Sequence, residues 1–98
     1  MVQFKIKVTS TRPDTSIRFY KDIDVINYVL NEYVVTQQLR ATTTFSDDEL
    51  IQTTILEFNT VDDFKKVQAD PIMQEHNRKR HEYNQKNNIQ YLSEKIYE

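Results

Sequence analysis

Hydrophobic and polar residues alternate at the start of the chain. Val2, Phe4, Ile6 and Val8 fall on one side and Gln3, Lys5 and Lys7 on the other. Period two with β-branched residues predicts a strand over 2–8 with one buried face. Turn formers around Arg12-Pro13-Asp14 follow, so 9–21 reads as a loop, long for such a connection. Ile23, Ile26, Leu30 and Val34 then recur at helical spacing with Tyr33 beside them. They predict a helix over 22–37, its first amides capped by the Asp22 carboxylate.

Leu39, Ala41, Thr43 and Phe45 alternate with Arg40, Thr42 and Thr44, and the polar tetrad Ser46-Asp47-Asp48-Glu49 comes next. With 50–58 this reads as an antiparallel hairpin. The second hairpin strand is apolar on both sides, Ile51 and Ile55 on one and Leu56 and Phe58 on the other, as a central strand is. Thr60-Val61-Asp62-Asp63 has the form of a capping box with Asp for Glu. Phe64 and Val67 open the stripe of a second helix, which Asp70-Pro71 interrupts. Proline suits the first turn of a helix, so a further segment is expected over 71–86, stopped by Asn87-Asn88. Residues 89–97 complete the chain as a strand.

The order β-α-β-β-α-β predicts one α+β domain over 1–98, a ferredoxin-like split β-α-β arrangement. Its four-stranded antiparallel sheet carries the helices on one face, with the first and third strands central. The open face then shows Gln3, Lys5 and Lys7. From the third strand it takes either Thr53, Ile55 and Glu57 or Thr54, Leu56 and Phe58. The first set lets Glu57 approach a lysine. Tyr91, Ser93 and Lys95 are expected to join from the last strand. An open sheet face of this kind calls for a partner, and a second copy on a two-fold axis is the simplest one.

The run ILEFNTVDDFKKVQADP at 55–71 takes a strand ending in an aromatic through a turn into a helix closed by a DP break. With the element order it resembles the dimeric α+β barrel proteins, whose best-known branch is the antibiotic-biosynthesis-monooxygenase-like domains. The resemblance implies a homodimer through the open sheet face and a small-molecule cavity in each protomer. It implies no single activity, because that superfamily spans oxygenases, isomerases and haem-handling proteins. Haem-degrading members pair a first-strand Asn with a Trp and a second-helix His. Here the first strand offers Gln3, Lys5 and Lys7, the chain has no Trp, and only His76 has a counterpart.

Composition narrows the chemistry. The 98 residues include no cysteine, which excludes disulfides, thiol nucleophiles and zinc-thiolate sites. They include no glycine, which removes dinucleotide-binding loops, P-loops and nucleophile elbows. Positions with positive φ are expected to fall to Asn or Asp. A net charge of −2 gives no pull toward nucleic acid or membrane. No stretch approaches the ~20 apolar residues of a membrane span. Lys5, Lys7, Arg12 and Arg18 argue against a signal peptide, so the cytoplasm is the expected location.

The helix over 71–86 carries the candidate chemistry. Glu75, Lys79, Glu82 and Lys86 make a solvated face of i,i+4 pairs. Met73, His76, Arg80 and Tyr83 lie opposite. One reading makes these four a ligand-binding wall, with His76 as catalytic acid or base and Arg80 receiving a carboxylate. The other leaves His76 half-exposed and Arg80 snorkelling over Tyr83. His76 and His81 are five apart, the wrong spacing for a shared metal, and no metal or cofactor is expected. Arg78-Lys79-Arg80 alternates with acidic residues, and the third strand lacks the basic-Gly start of RNA-binding ferredoxin-like domains, so no nucleic-acid partner is expected. The loop at 11–20, with Arg12, Arg18, Phe19 and Tyr20, is either a lid or an arm across the dimer, or a segment in which Ile17 and Phe19 pin the entry to the first helix. Two functions follow. One is a small apolar molecule bound in a dimeric barrel with cofactor-free oxygenase or isomerase chemistry. The alternative is a non-catalytic binding or assembly module.

Overall fold

Residues 3–97 are described by a computed structural model of the chain, so Val2, expected to face inward, lies outside the described residues. The elements are β1 (Phe4–Thr11), α1 (Ile23–Val29), a π-helical turn (Leu30–Val34), β2 (Leu39–Phe45), β3 (Ile51–Phe58), α2 (Val61–Ala69), α3 (Pro71–Lys86) and β4 (Gln90–Tyr97). The strands form one sheet in the order β2-β3-β1-β4, with every neighbouring pair antiparallel. This α+β architecture is consistent with a ferredoxin-like arrangement.

The strand alternation selects one face for the core. Phe4, Leu39 and Phe58 are buried there with Tyr33 and Val67 from the helical side, and Ile6, Tyr28, Val29, Leu56, Phe64 and Met73 pack around them. Phe58 is 2% exposed. Its ring meets Phe64 edge-on at 5.2 Å, and Phe4 stacks on Phe64 at 4.5 Å. Such ring pairs add about 0.5–1.5 kcal/mol each beyond the area they bury. The core is therefore concentrated where α2 crosses the Phe4–Phe58 end of the sheet.

Local signals set the helix ends. The Asp22 carboxylate accepts from the amides of Asp24 and Val25 at 3.1 and 3.3 Å. The capping box is reciprocal: Thr60 Oγ1 accepts from the Asp63 amide at 3.0 Å, and Asp63 Oδ2 from the Thr60 amide at 3.2 Å. Asp70 closes α2 and caps α3, its Oδ1 accepting from the Ile72 amide at 2.9 Å.

Four expectations are corrected. The first strand runs to Thr11 rather than ending at residue 8, because it pairs residue by residue with β3 as far as Thr11 and Ile51. The single helix expected over 22–37 is α-helical only to Val29. Its continuation widens, with the Val35 amide bonding Leu30 O and the Gln38 amide bonding Tyr33 O, each at 2.9 Å and each spanning five residues. The widened turn brings Tyr33 into the core, where its hydroxyl finds Asp70.

Among the described residues positive φ falls on Gln37, Glu49 and Asn88, so one of these three is Asn and none is Asp. At Glu49 the turn is braced from outside the residue. Arg12 Nε donates to its carbonyl at 2.9 Å, and Asp48 Oδ1 accepts from Ser46 Oγ and the Leu50 amide at 2.6 and 3.1 Å. Those bonds offset the cost of a left-handed residue that carries a Cβ. Finally, the register Ile6–Lys95, Val8–Ser93, Ser10–Tyr91 puts Tyr91, Ser93 and Lys95 on the helix-covered face. The last strand shows Gln90, Leu92 and Glu94 on the open face instead.

Candidate functional site

Two regions carry the residues with chemical potential: the inward side of α3 and the open face of the sheet.

On α3 the four sequence candidates part ways. Met73 packs against the core. His76 lines an open-sided cleft of about 260 Å³ between the start of α1 and the start of α3, with Asp22, Val25, Pro71, Ile72, Glu75 and Lys79. Arg80 and Tyr83 do not line it. The Arg80 guanidinium lies 4.4 Å over the Tyr91 ring on β4, and His81 meets the edge of that same ring at 5.6 Å. Tyr83 donates its hydroxyl to the Arg18 carbonyl. Tyr20 sits between His76 and Tyr83, 5.3 and 5.5 Å from their rings.

Further contacts hold the loop within the protomer. Arg12 spans it, donating to the Ile17 carbonyl at 2.9 Å and stacking 4.5 Å from Phe19, which packs on Phe45 at 6.1 Å. The loop is pinned at both ends, by Arg12 and by Tyr20 with Tyr83. His76 and Arg80 are thus held by aromatic neighbours, and no convergent acid, base and ligand site forms among them. Burial lowers the pKa of His76, helped by the Arg80 and Lys79 charges and opposed by Asp22. The imidazole is neutral near pH 7, and its Nδ1 is buried with no hydrogen-bond partner.

Sequence reasoning missed a polar group that joins three elements. Asp70 Oδ2 accepts from the hydroxyls of both Tyr28 and Tyr33, at 2.6 and 2.5 Å. Burial would raise this carboxyl, but the two hydroxyls and the Ile72 and Met73 amides outweigh it and hold it below the ordinary value. In return the carboxylate raises both phenols, with burial the largest cause at Tyr33. The only signal in the sequence is a Tyr at position 33 beside the apolar stripe. Nothing there tells that it would seek a residue 37 positions away.

On the open face the expected set is present. Thr53, Ile55 and Glu57 share a side with Lys5 and Lys7. Glu57 is the hub: Arg40 donates to it from β2 at 3.0–3.3 Å, and Lys5 approaches from β1 at 3.6 Å. The hydrogen bonds and charge of Arg40, with the Lys5 charge, lower the Glu57 pKa against the opposing effect of burial. Beyond that row the face holds Thr42, Thr44, Thr53, Thr9, Ile55, Ile51 and Leu92. Leu92 is 55% exposed and Ile51 36%.

Among the described residues no group of three or more His, Asp or Glu is placed to hold a metal ion. Among them no helix is long and apolar enough to cross a membrane. No protein-family model, curated protein or solved structure matches the chain.

Proposed function

We propose that this chain is a non-catalytic assembly module whose open sheet face receives a second copy of itself. The observation that carries this reading is the Glu57 hub. One carboxylate draws Lys5 and Arg40 together, and the rest of the face presents Thr, Ile and Leu side chains around Lys7, Glu94 and Gln90. A two-fold interface pairs one patch with itself, and a face of exposed Thr, Ile and Leu with cations and carboxylates side by side can meet that requirement. Two such sheets stack about 10 Å apart. The pair would be a ferredoxin-like dimeric α+β barrel, the architecture the element order resembles. A chain free of cysteine suits a reducing compartment such as the cytoplasm.

The test is the mass in solution by sedimentation equilibrium, with Ile55→Lys as the face variant. Self-association of the native chain that weakens at least tenfold in Ile55→Lys supports the reading. A native chain that is monomeric throughout the micromolar range rules it out.

A second reading, the binding of a small apolar molecule, rests on the cleft beside His76. Val25, Pro71 and Ile72 give it an apolar wall, and the neutral imidazole of His76 offers one polar contact. At about 260 Å³ it lies just below the roughly 300 Å³ at which small-molecule sites begin. Chemical-shift changes confined to Val25, Ile72 and His76 in a fragment screen support this reading. A screen that moves no resonance there counts against it.

A further inference from the structure

The two edges of the sheet differ. At one edge, β4 carries Glu94 and Lys95 and its pairing with β1 slips in register between Lys5 and Ile6. Charge and irregularity are the usual protections of an exposed edge. At the other edge β2 is regular, and its one charged residue, Arg40 at its start, is held by Glu57. Its register with β3 is unbroken from Leu39 to Phe45, and residues 41–45 read Ala-Thr-Thr-Thr-Phe without charge, Pro or bulge. Every residue from Arg40 to Phe45 is exposed.

The hydrogen-bond phase of this edge is fixed. The Ser46 amide bonds Ile51 O at 3.0 Å, and the Asn59 amide bonds Gln38 O at 3.2 Å. Antiparallel ladders alternate bonded and non-bonded pairs, so Arg40, Thr42 and Thr44 spend their backbone groups on β3. Leu39, Ala41, Thr43 and Phe45 direct theirs outward.

We infer that this edge pairs with the β2 edge of a second copy, antiparallel and centred on Thr43, which extends the sheet to eight strands. This interface is separate from the open face. Three features of the edge fit a second copy. With Thr43 opposite Thr43, Ala41 faces Phe45 of the second copy, so the smallest side chain of the strand meets the largest. The strand is basic at its start, Arg40, and acidic past its end, Asp47 and Asp48. Antiparallel pairing brings these opposite ends together, whereas parallel pairing would align like with like. The apolar flank of α1 also lies on this side. Val25 faces α3 across the cleft, and the π-helical turn that continues α1 packs over β2. Ile23, Ile26 and Leu30 therefore turn away from α3, and they are 57%, 37% and 44% exposed. Two copies sharing β2 bring these flanks to a common axis.

Ala41→Pro tests the pairing, because it deletes an outward N–H and leaves the ladder to β3 intact. Thr43→Lys is the second variant and places two ammonium groups opposite each other at the axis. Mass by sedimentation and amide hydrogen exchange are the readouts. With both interfaces in use the native chain is a tetramer or larger, Ala41→Pro and Thr43→Lys are each dimers, and Ile55→Lys is a dimer. With the edge alone, the native chain and Ile55→Lys are dimers while the two edge variants are monomers. In either case the Thr43 and Phe45 amides of the native chain exchange at least tenfold more slowly than in Ala41→Pro. Thr43→Lys covers the event that Ala41→Pro does not fold. A native dimer that Ala41→Pro and Thr43→Lys leave whole and Ile55→Lys breaks overturns the edge interface and retains the open face. A native monomer overturns both. A monomer whose outward amides gain protection only when a foreign strand-forming peptide is added assigns the edge to another protein and overturns the second copy as its occupant.

Discussion

The Tyr33 hydroxyl donates to Oδ2 of Asp70 over 2.5 Å, tying the π-helical turn after α1 to the junction of α2 and α3. The same oxygen takes the Tyr28 hydroxyl, while Oδ1 caps α3. Hydrogen bonds to a charged acceptor are worth about 1.5–3 kcal/mol. Tyr33→Phe is therefore expected to destabilise the chain by about that amount, with Tyr28 keeping the carboxylate partly satisfied. Asp70→Asn should cost at least as much, because the amide nitrogen that replaces Oδ2 accepts from neither hydroxyl. Urea unfolding of the two variants and their double mutant checks this. A coupling energy indistinguishable from zero would show that the contact contributes nothing to stability.

Acid should unfold the chain in two stages. The folded His76 titrates below its ordinary value of 6.5, so the unfolded state takes up its proton first, and stability falls as pH drops below about that value. The folded Asp70 titrates below its ordinary value of 3.8, so its contribution is complete above that pH and is lost as pH falls through the folded value. Melting temperature measured from pH 8 to pH 3 should decline in both windows. His76→Gln should flatten the upper one and Asp70→Asn the lower. A native profile that is flat between pH 7 and 5 would contradict the burial assigned to His76.

Release of the loop should follow loss of its aromatic pin. Tyr20→Ala removes the ring between His76 and Tyr83, and Tyr83→Phe removes the bond to the Arg18 carbonyl. Both variants should keep the sheet yet expose residues 12–20 to faster backbone exchange and proteolytic nicking. Protection there equal to that of the native chain would mean that Arg12 and Phe19 suffice to hold the loop.

The strands and caps were legible from the sequence because their signals are local. Alternation placed Phe4, Ile6, Leu56 and Phe58 on one face, and Thr60-Asp63 and Asp70-Pro71 marked the helix ends. Pairing Glu57 with a lysine identified the open side of β3. The misreadings have nonlocal causes. Tyr33 leaves the α-helical path to meet Asp70, so no spacing rule for residues 22–37 could reveal the widened turn. Tyr91, Ser93 and Lys95 make no clean apolar face. Tyr91 is turned inward by Arg80 and His81 on another element. The candidate quartet on α3 shared a helical face, but its members answer to different partners: the core, the cleft, β4 and the loop.

The open face should respond to loss of its hub. Glu57→Gln leaves Lys5 on β1 and Arg40 on β2, the strands on either side of β3, without their common carboxylate. Like charges then repel across the face, both within the chain and between copies. Self-association through this face should weaken several-fold and recover as salt screens the two cations. An unchanged dissociation constant at low salt would show that the hub lies outside the interface.

Sedimentation equilibrium of the native chain and Ile55→Lys, side by side across the micromolar range, bears most directly on the assembly module. The native chain should sediment as a dimer or larger, and Ile55→Lys, with its fold intact by circular dichroism, should lose the contribution of the open face. A native chain that stays monomeric at every concentration, or a native assembly that Ile55→Lys leaves untouched, would contradict it.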